Sequence, residues 1–172
     1  DGINDAPAIR QAEIGIAMRN ATDITKSAAS LILTAPGLKD MIGAIHVGRS
    51  IFQRMMTYTL NKIIKTFHIG VFLSFGLLLT GRLLVSPLHI LLMVLANDIV
   101  SMSLTTDHVR PSPKPNQWRS MPLIVCGFII ALGWIAFSVG VYVVGHDGLM
   151  LDESHLDTLL FLMLVFVAIA NV

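Results

Sequence analysis

The chain has 172 residues; 54% of them are hydrophobic, only 13% are charged, and the formal net charge is +1. With a mean hydropathy of +0.73, this composition is too apolar for an ordinary soluble domain and indicates a membrane protein. The small net charge gives no support to nucleic-acid binding, and the single cysteine, Cys126, excludes an intrachain disulfide. Because the chain starts at Asp1 rather than at methionine and ends inside an apolar run, we expect a segment of a longer protein.

Residues 1–38 have the pattern of a soluble α/β domain. Short apolar runs predict strands at 14–18 and 30–34, and each run follows a short predicted helix, at 7–12 and 22–29. Short apolar strands bounded by polar helices are typical of parallel strands in α/β units.

The rest of the chain predicts one amphipathic helix and then a membrane-spanning bundle. After a turn at Pro36-Gly37, apolar residues recur at helical spacing over 39–58, which predicts a stalk helix. A helix needs about 20 residues to cross the hydrocarbon core. The transmembrane domain, 59–172, has four apolar stretches that we predict as spans, approximately 59–80, 86–105, 122–144 and 156–172, the last truncated.

The loops between the predicted spans differ in charge, and this difference predicts the orientation. The loop after the second span carries Arg110, Lys114 and Arg119, whereas the loop at 145–157 has four acidic residues and no lysine or arginine. The positive-inside rule places the first loop in the cytoplasm and the second outside. The N-terminal segment then also lies in the cytoplasm, because two crossings separate it from the basic loop.

The first five residues, DGIND, hold two carboxylates, an asparagine and a glycine. One interpretation is a turn in which Asp5 caps the helix that starts at Ala6-Pro7. In the other, Asp1 and Asp5 converge on one Mg²⁺, a cation that prefers oxygen ligands, and Asn4 donates a hydrogen bond to a phosphoryl oxygen. Such a cluster suits phosphoryl transfer, where catalysis is positioning and charge neutralisation.

The stretches DGINDAPAI, GRSIFQRMMTYT and LANDIVSMSLTTDHVRPSPKPNQW together resemble the P-type ATPase family, and within it the plasma-membrane proton pumps. The resemblance implies the end of a haloacid-dehalogenase-like phosphorylation domain followed by the fifth to eighth membrane helices. It also implies that Asp1 binds Mg²⁺, that Asp5 supports this site and that Asn4 contacts the phosphoryl group. The nucleotide-binding domain and the phosphorylated aspartate would lie before Asp1, so this segment alone should not hydrolyse ATP.

Asp98 lies deep inside an apolar stretch, where a charge is costly and indicates function. Its neighbours Asn97 and Ser101 are polar, and a polar stripe on the preceding predicted span comprises Asn61, Lys65 and His68. One interpretation is a structural salt bridge from Asp98 to Lys65 or His68, with Lys62 reaching the membrane surface. The other is a proton carrier that alternates between two environments.

The resemblance favours the proton carrier, because Asn97-Asp98 matches the carrier pair of the proton pumps. It also places His68 where those pumps have an arginine, which leaves proton specificity open. We therefore expect a multi-pass protein of the plasma or cell membrane whose partners are the lipid bilayer, ATP and a transported cation, H⁺ first and Mg²⁺, K⁺ or Ca²⁺ as alternatives. The alternatives of another class are a membrane-anchored phosphatase of the same fold without transport, and a channel or structural bundle.

Overall fold

The structure is a computed structural model that describes residues 2–35 and 37–171, so Asp1 and the predicted turn residue Pro36 lie outside the described residues. The chain divides into two compact units. The first comprises Asp1–Ile51 with Pro111–Pro113, and the second comprises Phe52–Arg110 with Lys114–Val172.

The first unit contains a short turn, two short helices and two short strands. The elements are a 3-10 turn at Ile3–Asp5, helix α1 at Ala6–Gln11, strand β1 at Ile16–Ala17, helix α2 at Asp23–Ala28 and strand β2 at Leu31–Ile32. The two strands pair in parallel, with Ile16 opposite Leu31 and Ala17 opposite Ile32. Sequence signals define both helices, because Pro7 lies in the first turn of α1 and the Thr22 hydroxyl caps α2.

The strands are much shorter than predicted, with two residues each where the sequence suggested five. Two such strands are too little sheet to define an α/β domain, so the haloacid-dehalogenase-like fold stays a prediction. The chain does pass close to α1 at this point, since a Cβ on Gly15 would lie 2.4 Å from the Ile9 carbonyl oxygen. Glycine is therefore required there for β1 to start beside α1.

Helix α3 runs without a break over Lys39–Thr80, a length of 42 residues. It therefore includes both the predicted stalk and the predicted first span. Gly43 and Gly48 lie within it, and each costs a helix only about 1 kcal/mol relative to alanine. That cost is small beside the hydrogen bonds of so long a helix.

Three further helices complete the second unit. They are α4 at Pro87–Ser103, α5 at Ser120–Val143 and α6 at Glu153–Ala170. By length and composition, three helices among the described residues can cross a membrane: α3, α5 with its extension to Gly148, and α6. Helix α4 is apolar but has only 17 residues, which is shorter than the span predicted at 86–105.

The core of the second unit is an apolar cluster in which α6 supplies the largest share. Its buried residues are Phe72, Leu84, Val85, Met93, Leu156, Leu160, Met163, Leu164 and Val167. The five residues from α6 recur at the three- and four-residue spacing of one helix face. Many large apolar side chains point away from this cluster, as Leu78, Leu79 and Ile99 do, and such exposed faces suit contact with lipid.

A polar contact joins the first turn of α4 to α6. The Asp157 carboxylate accepts the Ser86 backbone N–H at 2.8 Å through Oδ1, and its Oδ2 lies 2.9 Å from His89 Nδ1. The His89 ring also stacks on Phe161, with ring centroids 4.6 Å apart. These contacts fix the start of α4 against α6.

Candidate functional site

The acidic turn at the start of the chain closes on itself. The Gly2 backbone N–H donates to Asp5 Oδ2 at 3.0 Å, and the Asp5 N–H donates to the Gly2 carbonyl at 3.1 Å. Asp5 occupies the predicted N-cap position of α1, but its side chain makes no capping hydrogen bond to that helix. The Asn4 side chain is exposed. The hydrogen-bonded turn therefore holds the Asp5 carboxylate in place, and the Asn4 amide beside it is exposed to solvent.

Thr25 of α2 stabilises this turn, and sequence reasoning did not identify it. Its side chain is fully buried, and its hydroxyl donates to the Gly2 carbonyl at 2.8 Å. The Thr22 and Thr25 hydroxyl oxygens are also 2.8 Å apart. A hydroxyl has one hydrogen to donate, so the Thr22 hydroxyl must be the donor in that bond. The spacing Thr22-x-x-Thr25 was the available signal, but on its own it indicated only a helix cap.

The Mg²⁺ site predicted for this turn depends on Asp1 and Asp5, of which the structure describes only Asp5. Asp1 lies outside the described residues, and among those that are described no group of three or more His, Cys, Asp or Glu side chains could hold a metal ion. Mg²⁺, however, is commonly bound through one or two carboxylates together with waters and substrate phosphates. The exposed turn with the Asp5 carboxylate and the Asn4 amide fits this mode of binding.

A second group of polar side chains, here called the intramembrane cluster, lies in the helices of the second unit. It comprises Asn61, Lys62, Lys65 and His68 on α3, Asn97, Asp98 and Ser101 on α4, and Ser138 on α5. All of them except Lys62 and Asp98 are buried, with at most 7% of the residue exposed. The structure thus brings the predicted ion-path residues of two helices together.

Asp98 is paired with Lys62 rather than with Lys65 or His68. The Lys62 Nζ lies 2.9 Å from Asp98 Oδ1, and the two side chains are 40% and 56% exposed. The Lys62 ammonium also lies 5.6 Å from the centroid of the Tyr58 ring. Asp98 therefore lies on the outer side of the cluster. Lys62, which was expected to reach the membrane surface, is its ion-pair partner.

On the inner side of the cluster, several buried polar groups have no hydrogen-bond partner among the described residues. Lys65 Nζ donates to Ser101 Oγ at 3.4 Å. Both amide atoms of Asn61 and the Oδ1 of Asn97 are buried without a hydrogen-bond partner among the described residues. Each such group costs about 1–3 kcal/mol. In native proteins these groups are rare and indicate a functional role or a place for water.

His68 contacts α5. Its Nε2 lies 2.7 Å from Ser138 Oγ, and the Ser138 hydroxyl donates to the Trp134 carbonyl at 2.8 Å. Ser138 was not identified from the sequence. Its signal in the sequence is a serine in the apolar part of α5, and such a hydroxyl is more often bonded to its own backbone than to another helix.

Known proteins show similarity over nearly all of the chain. No protein-family model matches it. A candidate cation-transporting ATPase from Methanocaldococcus jannaschii is 32% identical over 172 residues, all of this chain and 21% of the relative. The plasma membrane ATPase of Kluyveromyces lactis is 34% identical over 167 residues, 94% of this chain and 18% of the relative. The chain is homologous to cation-transporting P-type ATPases.

The resemblance in the sequence motifs is thereby confirmed, and the chain spans about a fifth of the length of these relatives. Three of its described helices are long and apolar enough to cross a membrane.

Proposed function

We propose that the chain is part of an ATP-driven cation pump that exports protons by way of an aspartyl-phosphate intermediate. The observation that carries the proposal is the pairing of Asp98 with Lys62 at 2.9 Å in a bundle of apolar helices, in a chain homologous to cation-transporting ATPases. A carboxylate among apolar helices is costly. A bundle that served only as an anchor would have no need of it.

The acidic turn is proposed as part of the phosphorylation site of a haloacid-dehalogenase-like domain that faces the cytoplasm. Asp1 and Asp5 would hold Mg²⁺, and Asn4 would donate its amide N–H to a phosphoryl oxygen. Bound Mg²⁺ neutralises charge on the transferred group. Thr25 holds the Gly2 carbonyl, and thereby fixes the turn that carries Asn4 and Asp5. ATP would be bound by parts of the pump outside this chain.

In the intramembrane cluster, Asp98 is proposed to carry the proton. Protonation neutralises the carboxylate and releases it from the Lys62 ammonium, and deprotonation restores the ion pair. Movement between these two states would let the carboxylate take its proton on one side and release it on the other. Asn97 and Ser101 on α4 and Asn61 and Lys65 on α3 would supply the polar surroundings for this exchange.

The proposal is tested in the full-length pump, reconstituted in sealed vesicles. Asp98→Asn should abolish ATP-driven acidification of the lumen and leave phosphoenzyme formation in place. Asp147→Asn is the control, because that carboxylate is 68% exposed, in the helical extension of α5 to Gly148. Normal acidification by the Asp98→Asn pump would refute the carrier role. Transport of K⁺, Mg²⁺ or Ca²⁺ without acidification would identify another cargo, and phosphate release without any transport would identify a phosphatase.

A further inference from the structure

The contact between His68 and Ser138 determines where one proton lies. A serine hydroxyl has a single hydrogen, and a backbone carbonyl can only accept. Because Ser138 donates this hydrogen to the Trp134 carbonyl, its oxygen must accept a hydrogen from His68 Nε2 in the 2.7 Å contact. His68 therefore carries a hydrogen on Nε2, and the neutral imidazole is the Nε2–H tautomer.

Among the residues that the structure describes, the groups around His68 include no counter-ion for a second proton. The sequence of α5, Ser120–Val143, contains no Asp, Glu, Lys, Arg or His. On α3, one turn before His68, the nearest charged side chain is Lys65, which has the same sign as an imidazolium. On α4, Asp98 is already bound to Lys62. On the following turn of α3, Phe72 lies with its ring centroid 6.3 Å from that of the imidazole.

A buried charge without a counter-ion is unfavourable. His68 is only 2% exposed and Ser138 is fully buried. Solvent water therefore does not reach the imidazole to stabilise a positive charge in place of a counter-ion. The resemblance had placed His68 at the position of a cationic arginine. The geometry instead gives it an uncharged hydrogen-bonding role.

We propose that Ser138 is a positioning residue of the pump. It holds His68 as the neutral Nε2–H tautomer and thereby links α3 to α5. The positive charge opposite Asp98 then comes from Lys62 and Lys65 alone. This inference rests on the proposed pump function, and it identifies Ser138 as the residue that holds His68 in place beside the proposed ion path.

The experiment uses the full-length pump in vesicles, with ATP-driven acidification measured across a range of pH. His68→Gln should retain transport and the pH profile, because the glutamine amide N–H can reach the same acceptor. Ser138→Ala should lower the rate of ATP-driven acidification by roughly two- to tenfold, because loss of one hydrogen bond lowers the population of correctly placed His68 by about that factor, and Ser138→Thr should restore the rate. Ser50→Ala is the matched control, since Ser50 also donates to the carbonyl four residues before it, but in a hydrogen bond that is exposed to solvent.

A second measurement keeps the inference testable if Ser138→Ala does not fold. The ¹⁵N resonances of His68 in the parent pump should show a protonated Nε2 and an unprotonated Nδ1 at neutral pH. Two protonated nitrogens, or a His68→Arg pump that works like the parent while His68→Gln does not, would overturn the inference. If the parent pump fails to acidify vesicles, the pump function fails, whereas the ¹⁵N result still decides the state of His68.

Discussion

Replacing Thr25 by valine should weaken the acidic turn without changing its packing. Valine keeps the shape of threonine but loses the hydroxyl, and with it the bonds to the Gly2 carbonyl and to Thr22 Oγ1, both 2.8 Å long. One hydrogen bond contributes about 0.5–1.5 kcal/mol net, so the loss is about 1–3 kcal/mol. If the turn holds Mg²⁺ as proposed, this free energy should appear as weaker metal binding. Each 1.4 kcal/mol corresponds to about tenfold in affinity.

The assay is phosphoenzyme formation by the full-length pump as Mg²⁺ is titrated at fixed ATP. We expect the half-saturating Mg²⁺ concentration to rise by about five- to a hundredfold in Thr25→Val, and to stay near the parent value in Thr25→Ser, which keeps the hydroxyl. Thr34→Val is the matched control, because Thr34 is an exposed threonine of the same unit. Equal half-saturation in Thr25→Val and Thr34→Val would refute the link between Thr25 and the metal site.

Three further predictions concern the helices of the second unit, and each is checked by thermal unfolding in detergent. Gly76→Ala should destabilise the protein by about 1–3 kcal/mol, since its Cβ would lie 2.1 Å from Leu84 Cδ1; an unchanged midpoint would contradict this contact. Gly70→Ala, which meets nothing within 4 Å, should instead stabilise helix α3 by up to about 1 kcal/mol. Asp157→Asn should lower the midpoint, because one amide oxygen cannot replace the carboxylate that accepts from the Ser86 N–H and contacts His89; a Leu162→Ala change on an exposed apolar position provides the comparison.

Local signals predicted the helices of the first unit well. Pro7 and Thr22 act at helix starts through bonds that lie within one turn of the chain, so their effect is readable without the fold. The strands were harder to predict, because a strand exists only where a neighbour pairs with it. The runs at 14–18 and 30–34 pair over two residues each. The remaining apolar residues of these runs gave no indication that the strands would be so short.

The composition of the intramembrane cluster could be predicted, but its pairing could not. Polar residues at helical spacing on two apolar stretches indicate that two helix faces meet. They do not fix how far one helix is shifted along the other. Lys62 and Lys65 both have long, flexible side chains, so a small shift decides which of them reaches Asp98. In the structure, the Lys62 ammonium donates to the Asp98 carboxylate and the Lys65 ammonium donates to the Ser101 hydroxyl.

The arrangement of the cluster also bears on which cation it suits. Successive residues of an α-helix point about 100° apart, so Asn97 lies inside the cluster while Asp98 lies at its outer side. Ca²⁺ takes six to eight oxygen ligands, but the described side chains of this cluster offer one carboxylate, Asp98, beside two ammonium groups, with Asn61, Asn97 and Ser101 as further oxygen donors. A proton needs only one carboxylate oxygen. The charge and oxygen count of these residues therefore support a proton rather than Ca²⁺ as the proposed cargo. A different cation would first have to recruit the buried amide oxygens of Asn61 and Asn97, which have no hydrogen-bond partner among the described residues.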